Sequence, residues 1–333
     1  MNYFKWLYGD SKGSPVPVMD GRVRSLPEGE SLEEHRKHCK AKKGNCPYEE
    51  RADSVDEVEA SRGRRKSGGS EIPEQAELAR IYESEGVSKR LVQAAKSLHD
   101  GIISGAVKPK RLPASVFQDE AVAKIPKWMT YAYLVASNYP NDDKRASGVL
   151  EQFARASGKF REDLQTAYTE QYGDPIGHGM ESDVYDDGKG YVMKSSTLGM
   201  DTKTTLGKIE RIMLGNIQFP ETGYKPIEMG KAPDGGLRFG LRQRWIPFDE
   251  GKKVSDTEIQ KWLKERGWDL ADPERHSYVS KGWDLACLDM HDDNLVRMKD
   301  GQILCIDPCV VPNTEAVGLF GYYDYENPPQ EVS

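Results

Sequence analysis

Long apolar runs are missing from this chain: none of its 333 residues belongs to a stretch approaching the roughly 18 apolar residues that a membrane-spanning helix needs. The first residues also lack the basic segment and apolar core of a secretory signal, so a cytoplasmic location is expected. Positive charge is in deficit, with 47 Lys and Arg against 54 Asp and Glu and a formal charge of −7. General nucleic-acid binding needs the opposite balance, because the phosphates must be neutralised. Cysteine is scarce: Cys39, Cys46, Cys287, Cys305 and Cys309 are odd in number and fit no common disulfide framework. They read as reduced thiols, the three C-terminal ones as small buried apolar groups.

What remains is unevenly distributed. Residues 1–75 balance 14 Lys/Arg against 14 Asp/Glu and hold few aliphatic residues. That composition offers too little apolar surface to offset ordering entropy, so residues 1–73 are expected to be a largely disordered tail and linker. His35, His38, Cys39 and Cys46 cluster there at spacings that match no standard zinc finger, and a solvated helix opened by Ser31 is the expectation. From residue 74 the pattern turns helical. Leu78, Ile81 and Tyr82, then Leu91, Ala94, Ala95 and Leu98, recur at i, i+3 and i+4 or close to it. Pro109, Pro113, Pro126 and Pro140 divide the rest into short helices. Residues 74–171 are therefore expected to form a small helical domain, with 128–137 as its buried helix.

Beyond residue 172 turn signals join short strands in pairs. Hairpins are expected at 183–185 with 191–194, 227–229 with 237–245, and 295–298 with 303–306, because each turn carries a glycine able to adopt positive φ. A helix is expected from Ser255 to Gly267. The fold class is α+β.

The third hairpin carries the most chemical information. Asp289 and Asn294 stand before it and Asp307 directly after it, so its closure should gather three oxygen-bearing side chains at one sheet edge. Such a set can hold Mg²⁺ and orient a nucleophile. Taken singly, each is as well explained as a cap or turn residue.

In combination the pattern resembles the catalytic segment of the protein-kinase-like fold, in which an Asp-x₄-Asn loop precedes a hairpin and a metal-binding Asp follows it. Upstream, Ile176-Gly-His-Gly-Met-Glu-Ser-Asp-Val-Tyr185 is similar to a degenerate glycine-rich loop, and Met193-Lys194 ends the next strand. The segment looks most like the kinase-like domains of polyvalent proteins of phages and mobile elements. The resemblance implies a compact two-lobed domain over 172–320, with an antiparallel sheet, a truncated C-lobe and a short tail at 321–333.

It also implies roles for individual residues. Gly177, Gly179, Glu181 and Ser182 would form the nucleotide loop, and Lys194 would contact the phosphates of ATP. Glu210, the acidic residue of the expected helix at 206–214, would orient Lys194 or else face solvent. Asp289 would act on the acceptor hydroxyl, Asn294 and Asp307 would ligate Mg²⁺, and Gln243 to Ile246 would form the adenine-reading hinge. Several features depart from the kinase pattern. Cys287-Leu288 replaces His-Arg, and Pro308-Cys309 follows Asp307 in place of Phe-Gly. His291 makes the loop similar to that of aminoglycoside and choline phosphotransferases, in keeping with a small-molecule acceptor as well as a protein one. The resemblance thus implies an ATP- and Mg²⁺-dependent phosphotransferase. The alternatives are a pseudokinase or a structural or interaction protein of a phage or mobile element.

Overall fold

Side-chain caps start most of the described helices. Ser88 accepts from the Leu91 amide to open the helix Lys89–Ile103, Asp142 accepts from the Arg145 amide to open Asp143–Ala156, and Thr204 accepts from the Gly207 amide to open Thr205–Gln218. A reciprocal capping box between Ser255 and Glu258 opens the helix Asp256–Glu265. The computed structural model describes residues 72–198, 204–221, 223–233, 235–248, 252–280 and 284–312. The expected N-terminal tail with its His/Cys cluster and the expected C-terminal tail lie outside these residues.

The helical segment comprises α1 (Gln75–Glu85), α2 (Lys89–Ile103), α3 (Ala114–Gln118), α4 (Glu120–Ala123), α5 (Lys127–Ala136), α6 (Asp143–Ala156) and α7 (Leu164–Tyr172). Helix α5 is buried continuously from Trp128 to Ala136, as its unbroken apolar run demands. The segment is not purely helical. Phe160–Arg161 form a short strand, β1, that pairs in parallel with Met229 and Gly230. Two residues are too few to leave a period-2 signature in the sequence.

The remaining elements are β2 (Gly177–His178), β3 (Ser182–Asp186), β4 (Tyr191–Ser196), α8 (Thr205–Gln218), β5 (Lys225–Lys231), β6 (Leu237–Arg244), α9 (Asp256–Glu265), β7 (Asp269–Asp272), β8 (Ser277–Ser280), β9 (Leu285–Leu288), β10 (Leu295–Arg297), β11 (Ile303–Cys305) and β12 (Cys309–Pro312). A six-stranded sheet runs in the order β1-β5-β6-β4-β3-β2, antiparallel except at β1. All three expected hairpins are present, as β3–β4, β5–β6 and β10–β11. Strands β7, β8, β9 and β12 make a second, four-stranded antiparallel sheet that the sequence pattern did not announce.

Helix α8 joins these parts. It is buried from Thr205 to Asn216 and packs against α4, α6 and β12. Ile209, Ile212 and Met213 share one apolar cluster with Leu78, Leu134 and Leu150 of the helical segment and with Leu241, Cys287 and Val310 of the sheets. The core therefore runs without a break across residue 172. Each of these large apolar side chains contributes about 1.5–3 kcal/mol of burial free energy. Gly215 lets the helix approach closely, since a Cβ there would sit 3.3 Å from Pro308 Cγ.

Candidate active site

Strand β4 runs between β3 and β6, with Lys194 opposite Val184 and Leu241, and its ammonium is almost wholly buried. Hairpin β10–β11 returns the chain so that the Ile306 amide donates to the Asn294 carbonyl at 2.8 Å. Asp307 follows at once. Its Oδ2 lies 3.9 Å from Lys194 Nζ, across a crevice also lined by Glu181, Ser182, Ser196, Lys208, Arg211 and Tyr224. Residues more than a hundred positions apart in sequence thus face one another.

Tyr224, just before β5, links the two. Its hydroxyl donates to Asp307 Oδ1, accepts from Lys194 Nζ at 3.3 Å, and lies 3.1 Å from the Ile306 carbonyl. Arg211 Nη2 reaches the same Asp307 oxygen at 3.5 Å. Burial by itself would raise the Asp307 carboxyl. Lys194 and then Arg211 outweigh it, helped by the Tyr224 hydroxyl, and hold the group at about 2. Lys194 shifts down: burial disfavours its charge, and Asp307 recovers only part of the loss while Arg211 opposes it.

Asp289 has a left-handed backbone, with φ of 59°. Asp tolerates this region better than most residues, at some conformational cost. The loop is held by Asn294, whose Nδ2 donates to both the carbonyl oxygen and Oδ2 of Asp289, at 2.7 and 3.0 Å. His291 Nε2 lies 3.2 Å from Asp289 Oδ1, and this bond raises the imidazole pKa against the opposing effect of burial. The Asp289 side chain remains 55% exposed, so an incoming molecule can reach it.

Gly177 and Gly179 lie in the β2–β3 hairpin. The Gly179 amide donates to the Ser182 carbonyl at 2.8 Å, closing the turn, and Met180 projects from its tip. Glu181 and Ser182 reach the crevice wall. Gln243, at the end of β6, donates to the Ile306 carbonyl at 2.8 Å and so braces the strand beside Asp307.

The expected pairing of Glu210 with Lys194 is not formed, nor does Glu210 face solvent. It is 1% exposed and points to the helical segment, where Arg111 grips it with two nitrogens at 2.5 and 2.9 Å and the Tyr133 hydroxyl donates at 2.6 Å. The face of α8 toward the crevice instead carries Lys208 and Arg211. Both donate to Glu181 Oε2, at 3.2 and 2.9 Å. The loop thus provides the carboxylate, Glu181, and the helix presents cations to the crevice where the carboxylate of Glu210 was expected. Sequence reading missed Lys208, Arg211 and Tyr224. A helical spacing of three between the two cations was the available signal.

Cys287, Cys305 and Cys309 are buried, and burial pushes the thiols of Cys287 and Cys305 up, away from the reactive thiolate.

The family described as "Serine/Threonine/Tyrosine Kinase found in polyvalent proteins" matches residues 143–313, just over half the sequence. The chain belongs to this family. No curated protein and no solved structure matches it. The kinase family's matched region contains every crevice residue named above, together with the Asp289–Asn294 loop. Among the described residues no helix is long and apolar enough to cross a membrane.

Proposed function

We propose that the protein is an ATP- and Mg²⁺-dependent phosphotransferase acting on a hydroxyl of a protein or small molecule. The observation that carries this reading is the approach of Lys194 to Asp307 across a small crevice, with the Asp289–Asn294 loop tied to the adjoining hairpin. Asn294 and Asp307 suit Mg²⁺, which prefers hard oxygen donors. The Asn294 amide nitrogen is committed to Asp289, which leaves its oxygen for a metal, and Asp307 is an ionised carboxylate. Bound Mg²⁺ would neutralise charge on the transferring group.

The remaining roles belong to the protein's own side chains. Lys194 holds phosphate oxygens by charge-assisted hydrogen bonds. Asp289 orients the acceptor hydroxyl and takes its proton, and its exposure suits a group arriving from solvent. His291 fixes the other carboxylate oxygen. Positioning and electrostatics supply most of the rate.

Incubation of the full chain with γ- or α-labelled ATP, with and without Mg²⁺, tests the reading. Mg²⁺-dependent transfer of the γ label alone supports it. Transfer of the α label would make the protein a nucleotidyltransferase, and absence of any turnover would overturn the reading.

A further inference from the structure

Among the described residues that line it, the crevice holds more cations than carboxylates. Lys194, Lys208 and Arg211 line it, with side chains 3%, 4% and 8% exposed, and the two carboxylates facing them are Glu181 and Asp307. Among the described lining residues this leaves one cation in excess. The shortage is sharpest at Glu181, where a single oxygen, Oε2, serves both Lys208 and Arg211. Uncompensated buried charge is costly, and a wall of cations beside an opening suits an anion with several oxygens. The carboxylate serving α8 comes from the β2–β3 loop, next to exposed Met180, and so from a different element than the helix itself.

We propose that Lys208 and Arg211 are polyphosphate ligands, acting with Lys194 on the phosphates of a nucleoside di- or triphosphate, and that Glu181 is a counter-ion displaced when they bind. This rests on the reading of the crevice as the nucleotide site. When the phosphates enter, Lys208 and Arg211 exchange Glu181 Oε2 for phosphate oxygens, and Arg211 also relinquishes Asp307 Oδ1. The arrangement favours chains of two or three phosphates over a monophosphate, since three cations on two elements need more than one phosphate to satisfy them.

The test is calorimetric titration of the full chain with inorganic tripolyphosphate, ATP and AMP, alongside measurement of ATP turnover. Tripolyphosphate and ATP should bind the unaltered protein and AMP should bind at least tenfold more weakly. Lys208→Met and Arg211→Met should each weaken tripolyphosphate binding roughly tenfold or more, the loss of one charge-assisted contact. Glu181→Gln should tighten it, because the competing carboxylate is gone, an effect that a purely structural role for Glu181 would not give. Should the Arg211→Met chain fail to fold, Lys208→Met and Glu181→Gln decide the matter. Tripolyphosphate affinity unchanged in Lys208→Met, or weakened in Glu181→Gln, would overturn the proposal even if ATP is turned over. Conversely, tripolyphosphate binding that follows the expected order with no turnover would uphold these ligands and reject the phosphotransferase reading.

Discussion

Asn294 donates through one nitrogen to both the main-chain oxygen and the side-chain oxygen of Asp289, pinning a residue whose backbone is left-handed. That amide holds one carboxylate oxygen while His291 holds the other, and it leaves its own oxygen for other work. Asn294→Ala is expected to loosen the loop and, on the proposed reading, to remove a metal ligand as well. Turnover should fall at least tenfold, and the Mg²⁺ concentration for half-maximal activity should rise, as read from Mg²⁺ titrations of ATP turnover.

Asp289→Asn separates chemistry from folding. Asn accepts positive φ as readily as Asp, so thermal unfolding should move little. If Asp289 is the proton acceptor proposed above, its loss should lower kcat by about 10²–10⁴-fold, with a much smaller change in KM for ATP. Unchanged kcat would remove Asp289 from the reaction.

Tyr224→Phe deletes the hydroxyl shared by Lys194 and Asp307. The Asp307 carboxyl sits at about 2 when folded, below its ordinary 3.8. Its stabilising contribution is therefore complete above the unfolded value and fades as pH falls through the folded one. Without the Tyr224 donor the folded value rises and that window narrows. The acid-unfolding midpoint, followed by circular dichroism, should move to higher pH, with about 1 kcal/mol lost at neutral pH.

His291 should titrate above the ordinary imidazole range, because the Asp289 carboxylate favours its charged form more than burial opposes it. The stability it adds is complete below the unfolded pKa and disappears as pH rises through the folded one. Proton NMR of the ring across that range should show the raised value, and Asp289→Asn should bring it down.

Arg111→Ala leaves the carboxylate of Glu210, 1% exposed, with the Tyr133 hydroxyl and no cation from Arg111. Breaking a buried pair in this way costs roughly 3–5 kcal/mol. Urea unfolding should show a loss of that order, and Arg111→Ala combined with Glu210→Gln should recover part of it.

Much of this architecture was legible because local chemistry spoke for it. Glycine turns such as 186–190 and 299–302 announced hairpins, and the second of them ties the chain before Asp307 to the Asn294 carbonyl. The second sheet was silent for a physical reason. Strands β8 and β9 are buried at all four positions, so no polar–apolar alternation marks them, and Asp269–Asp272 begins and ends with residues that strands disfavour. The orientation of Glu210 was illegible for a related reason. Helix α8 is buried on every side, so Lys208, Glu210 and Arg211 occupy interior positions that no amphipathic stripe can rank. Only the positions of Arg111 and Glu181, each far along the chain, decide which charge faces the crevice.

The Arg111–Glu210 joint straddles the edge of the family-matched region. Its carboxylate falls within residues 143–313, whereas Arg111 and Tyr133 lie upstream. A recombinant fragment trimmed to the matched span would expose the apolar flank of α8 and strand an anion on it. The first helices thus serve as the clamp that seats the cation-bearing helix, and a fragment lacking them is the wrong object on which to assay the crevice.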